Sequence, residues 1–524
     1  MKLLVQEFGV NEADSPLSKF IKRISSQALQ FKDFVRNLLF GDLFSNKIIM
    51  KGDPLHNSDF FGFKKLIVCV SSTGKIYGLS SDKGSLLWSV LLHEDFVVSA
   101  GDVFAVTRFP SPLGLPPLCL LSCSDRGGQS YIYELDPLHG SVVRYEVPFT
   151  VKHALVLNEV DGGYNKPTIF LSYKEEAHVW PKTPNAISLA LRAAPRLFFY
   201  SVNKSTGKLD GRRLLITNES VLKSVPAWSV TFSLLEETML TVSSPRHYEQ
   251  VKVLYKSVDS RGNLLYKYLN PNMIAVATHS PAASELVVYL IDTVTGRLLH
   301  RTFHPRFTAT RPVTIVHSEN SVYYHFWDSL EMKYIFVSLD LYEQKPVEKR
   351  PSWQPFSSFL ANNPVVVRQS YYFFEGLSCA SVTQTKQGIT MKQLLLGLNN
   401  GQLYALDKRF LDTRRTTADK SSIPGVPVYS PVHTMDPLNV INYNRTVPHI
   451  KNIITSTTRL ESLGLVFAYG LGLYSTRITP SGTFDTLSEG FNKPMLVMTT
   501  AGLIVACIIV RELMYKKKLA SQWT

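Results

Sequence analysis

The sequence predicts a mainly β chain: a β-propeller of about seven or eight blades, led by an amphipathic helix and followed by one membrane-spanning helix. Three observations predict this. Between roughly residues 60 and 489, short runs rich in Val, Ile, Leu, Phe and Tyr alternate with turn residues, and helical periodicity is nearly absent. One turn pattern recurs through that stretch. An unbroken apolar run lies just before the C-terminus. The expected division is an interfacial helix region at 1–48, the propeller at 49–490, the spanning helix at 491–511 and a short basic tail at 512–524.

The bulk numbers fit this class. The chain has 524 residues, more than one hydrophobic core usually serves. With 45% hydrophobic and 19% charged residues, its composition argues against disorder. The formal net charge is +14. The charges are scattered, and no basic stripe interleaved with aromatics supports nucleic-acid binding. Five cysteines (Cys69, Cys119, Cys123, Cys379 and Cys507) are too few for a disulfide framework. Cys119 and Cys123 are either one local disulfide or free core thiols.

Near the N-terminus, Ser15 suits a helix cap and Pro16 the first helical position. Leu17, Phe20, Ile21, Ile24, Ala28, Phe31, Val35, Leu38 and Leu39 then recur at helical spacing. The opposite face carries Lys19, Lys22, Arg23, Lys32 and Arg36, with Asp33 as its lone acid. Such a helix either lies at a membrane interface or packs on its own protein's core. The basic bias favours the interface, with those five cations meeting headgroups or a partner. Before it, Glu7 interrupts the apolar run of Met1–Val10, so no signal peptide forms. The expectation is a C-terminal piece of a longer protein.

In the middle, an apolar strand repeatedly ends in Ser, Asp or Asn, and Gly follows four residues later. The copies run Ser80 to Gly84, Asp136 to Gly140, Asn203 to Gly207 and Asp292 to Gly296. Asp340 and Asp407 mark degenerate copies without the glycine. The polar side chain bonds back to the turn and Gly supplies a positive φ. This is the shape of a quinoprotein-type (PQQ-like) propeller blade. Its irregular spacing implies diverged or inserted blades. Two packed β-sandwiches are the alternative. One short helical stretch is expected near 185–194.

At the far end, Pro494 to Val510 holds no charged residue and is followed by Arg511, Lys516, Lys517 and Lys518. The run suits a thin-bilayer span, and the positive-inside rule puts those cations in the cytosol. The other reading is a buried core helix. A single-pass type I topology in the endoplasmic reticulum follows, with the bulk in the lumen. Asn203, Asn218 and Asn444 are then glycosylation acceptors, although Asn203 is also a turn residue.

Catalytic motifs are absent from the sequence: no G-x-S-x-G, P-loop or HExxH occurs. His317 and Glu319 form an imaginable base and carboxylate, but their strand-like flanks favour a turn. Trp88 and Trp327 read as packing residues. A quinoprotein enzyme would need a cofactor site, a calcium loop and often paired cysteines, none of which the sequence offers. A propeller sensor or adaptor is a further alternative; a sensor needs a larger cytosolic tail. No cofactor, metal or catalytic residue is expected.

Longer runs carry a resemblance. LYKYLNPNMIAV (265–276), LIDTVTGRLLH (290–300), IVHSENSVYYHFWD (315–328), LYALDKRFLDTRR (403–415), INYNRTV (441–447) and FAYGLGLYSTRITPSG (467–482) resemble, in order and spacing, the C-terminal region of the ER membrane protein complex subunit 1 family. Weaker likeness extends back to KRISSQALQ at 22–30. The resemblance implies a non-enzymatic scaffold with lumenal propellers, a brace helix at the membrane surface and one anchor. The implied partners are the other subunits of that complex, the lipid bilayer, and tail-anchored and multipass client proteins. Members of the family also carry a signal peptide and a further lumenal propeller region ahead of the part matched here.

Overall fold

A computed structural model describes residues 4–6, 61–92, 96–97, 103–109, 116–125, 127–161, 163–217, 222–233, 236–245, 256–258, 262–344, 356–416, 426–485 and 493–522. The predicted amphipathic helix, with Lys19, Lys22, Arg23, Lys32 and Arg36, lies outside the described residues, as does Asn218. The chain divides into two compact units, Met1–Pro480 and Ser481–Thr524.

The first unit is a seven-bladed propeller, built from antiparallel sheets in chain order. The first sheet holds Leu66–Val70, Lys75–Ser80 and Leu86–Leu91; the second centres on Leu118–Asp125, Ser130–Leu135 and Val142–Val147. The third is enlarged. Val151–Val156, Thr168–Ser172 and Glu176–Trp180 continue through Leu222–Thr231 and Lys208–Ile216 to Leu197–Asn203, and Leu4–Gln6 pairs on that edge. The fourth holds Thr238–Ser243, Met273–Ser280, Glu285–Asp292 and Leu298–Pro305, and the fifth Thr314–Ser318, Ser321–Asp328, Lys333–Tyr342 and Val365–Phe373. Leu377–Val382, Gln393–Leu398 and Leu403–Asp407 form the sixth, and Asn452–Thr457, Gly464–Tyr469 and Leu473–Ile478 the seventh. The two-sandwich alternative is thereby excluded.

The second to sixth sheets pack both faces against their neighbours, because side chains alternate along a strand. In Glu285–Asp292, Leu286, Val288 and Leu290 join the core shared with the fifth sheet. Val287, Tyr289 and Ile291 join the core shared with the third. Separate cores likewise join the first sheet to the second, the second to the third, the fifth to the sixth and the sixth to the seventh. Between seventh and first, Arg459 N donates to Phe61 O at 2.9 Å, and the Arg477 guanidinium sits 4.3 Å from the Phe63 ring centre.

Innermost strands are joined by side chains instead of a ladder. His317 Nε2 donates to Ser243 O at 3.1 Å, Thr314 Oγ1 to Leu377 O at 3.4 Å, Ser381 Oγ to Ile453 O at 2.9 Å and Thr455 Oγ1 to Val382 O at 3.0 Å. Edge carbonyls that would otherwise be buried unpaired are satisfied in this way.

The recurring turn does what its residues predict, and more. Asp292 Oδ1 accepts from Val294 N (2.9 Å) and Thr295 N (3.0 Å), while Gly296 N donates to Asp292 O at 2.8 Å. Gly296 lies at φ +71°. The turn also receives the preceding sheet. The Trp228 indole covers Gly296 and its Nε1 donates to Thr293 O at 2.9 Å. Trp88 repeats this on Gly140 (φ +73°), donating to Pro137 O at 3.0 Å. A Cβ on Gly140 would stand 2.7 Å from Trp88 Cδ2. Trp88 is therefore an inter-blade packing residue. The degenerate copies diverge: Asp407 still caps Arg409 N at 2.9 Å, whereas the Asp340 carboxylate accepts from Ser321 and from Thr413 of the next sheet.

Three smaller expectations resolve here. A helix spans Pro184–Ala193, capped by Thr183 Oγ1, which accepts from Ala186 N. Cys119 and Cys123 are buried on one strand and form no disulfide. Four residues of strand separate them by about 13 Å, too far for a disulfide. In the second unit a single helix, Lys493–Gln522, contains the apolar run and continues through the basic cluster. Its Met495–Leu519 portion is long and apolar enough to cross a membrane, by length and composition.

The indole–glycine contact yields a paired test. Gly84 has the same kind of turn at φ +65°, but open space where a Cβ would stand. Gly84→Ala should cost about 1–2 kcal/mol from backbone conformation alone. Gly140→Ala should cost about 1–3 kcal/mol more, because Trp88 must move. Denaturant unfolding of both variants measures the difference, and equal losses would remove the indole's role.

Candidate functional site

Strands alternate in direction, so their connections fall on the two ends of the ring. The Ser80, Asp136 and Asp292 turns share one end, and the connection Glu319–Asn320 between two strands of the fifth sheet falls there too, whereas the Asn203 turn follows a strand of opposite direction and falls on the other. Glu319 takes φ +55°. Its side chain is only 5% exposed and meets three lysines from neighbouring sheets. Lys267 Nζ lies 3.2 Å away, Lys408 Nζ 3.3 Å and Lys392 Nζ 3.6 Å. Burial by itself raises the Glu319 pKa, but Lys408, Lys267 and Lys392 together hold it down to about 2. Burial pushes the Lys267 ammonium below its ordinary range, against the pull of Glu319.

Two further contacts tie this end together. Arg414, paired with Asp412, donates to Val258 O at 2.9 Å on the inserted hairpin Lys256–Val258 and Leu264–Tyr266. Glu461 of the seventh sheet accepts from Thr385 Oγ1 (2.7 Å), Gln387 N (2.7 Å) and Ile389 N (2.8 Å) in a sixth-sheet connection. Glu461 is held below the usual carboxylate range: burial opposes this, and those donors outweigh it.

His317 and Glu319 do not form a catalytic pair. The imidazole is buried, its pKa is pushed down to about 4 by burial, and its Nε2 is spent on Ser243 O, while the carboxylate is occupied by lysines. Among the described residues no group of three or more His, Cys, Asp or Glu side chains is placed to hold a metal. Trp327 stacks edge-on against Tyr334 with the Arg311 guanidinium 4.2 Å from its ring centre.

A cavity of about 470 Å³ opens between the second and third sheets on the same end. Leu118, Leu120, Trp180 and Pro181 supply apolar walls, and Arg108, Lys166 and Lys182 supply cations. Glu134 is the one carboxylate among its lining residues. It accepts from Trp180 Nε1 at 2.9 Å and from Tyr145 OH at 3.3 Å.

Of the residues singled out from sequence, Asn203 and Asn444 are exposed, and Asn203 Oδ1 accepts from Ser205 N at 3.1 Å within its turn. Arg511, Lys516, Lys517 and Lys518 are exposed on the C-terminal helix. The Glu319 cluster and the cavity escaped sequence reading. The available signal was Lys408 directly after the degenerate turn residue Asp407.

The cluster predicts a pH signature. Glu319 falls from an ordinary value of 4.5 to about 2 on folding. Its contribution, about 3 kcal/mol by linkage, is full above about pH 5 and lost as pH falls toward 2. Glu319→Gln should therefore destabilise by about that amount at neutral pH, with the gap from the parent narrowing between about pH 5 and 3 in thermal unfolding. A gap indifferent to acid would assign the loss to packing.

Residues 62–481 match the family described as ER membrane protein complex subunit 1, second beta-propeller. The chain is similar to ER membrane protein complex subunit 1 of Gallus gallus, 32% identical over 99% of this chain and 53% of that protein. The Xenopus laevis protein is 31% identical with the same coverage, and that of Saccharomyces cerevisiae 26% over 92% of this chain and 64% of its own length. The chain thus spans about half the length of the first two relatives. The match stops at 481, where the ring unit gives way to the helical one. From the ring's first strand to its last, this chain belongs to the ER membrane protein complex subunit 1 family.

Proposed function

We propose that the chain is a non-enzymatic scaffold of the ER membrane protein complex, supporting insertion and folding of tail-anchored and multipass proteins. The observation that carries this reading is the family match across the whole ring, 62–481. Its relatives are named as subunits of that complex, so other subunits are the first partners. A ring with buried cores between successive sheets suits partner docking more than motion.

The helix Lys493–Gln522 serves as a single anchor. Thr499 and Thr500 return their hydroxyls to Leu496 O at 2.9 and 2.7 Å, which suits an apolar surround. Arg511, Lys516, Lys517 and Lys518 then lie in the cytosol by the positive-inside rule, and the ring in the lumen. Asn203, Asn218 and Asn444 become glycan acceptors. Lys19, Lys22, Arg23, Lys32 and Arg36 brace the membrane surface or a partner.

Protease added to sealed microsomes should leave a fragment containing 61–480 intact, and detergent should expose it; digestion of the ring without detergent would overturn the topology. Reversing the five N-terminal cations should lower recovery of the other subunits at least threefold in co-purification. Unchanged recovery and client insertion would remove the brace.

A further inference from the structure

The geometry points to the turn-bearing end of the ring as a surface that rests on a lipid bilayer, its apolar side chains entering the headgroup layer and its lysines meeting lipid phosphates. This inference rests on the single-anchor reading proposed above, but not on which side of the membrane the ring lies.

On that end, connections of five sheets carry large apolar side chains into solvent. Leu86 follows the Ser80 turn, Tyr164 lies between Val151–Val156 and Thr168–Ser172, and Leu264 stands on the inserted hairpin of the fourth sheet. Leu360 follows Lys333–Tyr342, and Ile389 and Met391 lie between Leu377–Val382 and Gln393–Leu398. One exposed apolar side chain is ordinary; the same feature on five sheets at one end makes a surface. Two of these connections are also pinned. Glu461 accepts from Gln387 N and Ile389 N, while Thr390 and Lys392 point inward, so Ile389 and Met391 are held outward. Ala361 N donates to Ser357 O at 3.0 Å and Arg297 donates to Ala361 O at 2.6 Å, which fixes the turn carrying Leu360. The opposite end closes the first, fourth and sixth sheets with short turns of small or polar residues, Ser71–Gly74, Pro281–Ser284 and Asn399–Gly401.

Two observations favour lipid over a protein partner. The apolar side chains stand one or two to a connection and are interspersed with exposed lysines: Lys83 shares the turn of Leu86, and Lys386 shares the connection of Ile389 and Met391. Protein interfaces gather their apolar residues in a core depleted of charge, whereas a bilayer surface takes apolar tips beside cations. A chain with a spanning helix also has a bilayer within reach, and the last strand of the ring, Leu473–Ile478, runs out on this same end.

The test uses the full chain in microsomes that carry an alkyne-tagged phospholipid. The photoreactive residue p-benzoylphenylalanine is placed, one position at a time, at Leu360, Met391, Leu330 and Ile504, and tagged lipid bound after illumination is counted. Leu330 is the control, because it is as exposed as Leu360 but stands on the opposite end. Lipid capture at Leu360 and Met391 should exceed that at Leu330 by roughly fivefold or more. Adding Lys386→Glu should lower capture at Met391 by roughly threefold. Capture at Ile504 but not at Leu360 or Met391 overturns this proposal and leaves the anchor standing; no capture at Ile504 overturns the anchor and this proposal with it. Protein adducts in place of lipid at Leu360 and Met391 assign the surface to a partner and overturn the lipid assignment. Unchanged capture in the Lys386→Glu variant removes the phosphate contact.

Discussion

The fourth and fifth sheets are buried on both faces, so their central strands are apolar at nearly every position, and each position answers to one neighbour. Glu285–Asp292 divides its side chains between the third and fifth sheets without a polar gap. A slip of one residue would exchange the two sets and ruin both cores. Register therefore has to be fixed at strand ends, where the turns lie. Asp292 fixes its own hairpin through backbone N–H groups, and Gly296 lets the Trp228 indole of the preceding sheet sit on it. One turn thus closes a hairpin and aligns two sheets.

This explains what the sequence disclosed. Runs such as ELVVYLID read as strands because burial on both faces makes them continuously apolar. The turns were readable because Asp or Asn and a positive-φ glycine are local requirements. Asp340 shows where local reading fails. It keeps the strand and loses the glycine, and its carboxylate serves Thr413, 73 residues away. Nothing in the neighbourhood of Asp340 announces that partner. The same holds for the third sheet, where Glu176–Trp180 and Leu222–Thr231 pair across a helix and two intervening strands. The lysines around Glu319 come from positions 267, 392 and 408, so their convergence exists only in the closed ring.

Two carboxylates on the turn-bearing end solve burial differently. Glu319 is compensated by full charges on flexible stems, and Glu461 by fixed backbone N–H groups and a hydroxyl. Both stay ionised because the opposing interactions exceed desolvation. Their effect is also different in reach. Glu461 joins the seventh sheet to the sixth, whereas Glu319 draws the fourth, fifth and sixth together. With Arg414 holding the inserted hairpin, the connections from the fourth to the seventh sheet form one linked surface.

The junction of the second and third sheets inverts that arrangement. There the carboxylate, Glu134, is satisfied by the neutral donors Trp180 Nε1 and Tyr145 OH, beside a cavity also lined by Arg108, Lys166 and Lys182. Cohesion at this junction does not need the void filled. Leu120, Ile132, Val147, Val151, Ala154 and Phe170 already form a buried core between the two sheets. Where Glu319 stands among lysines, the ring has supplied its own counter-charge and closed the site.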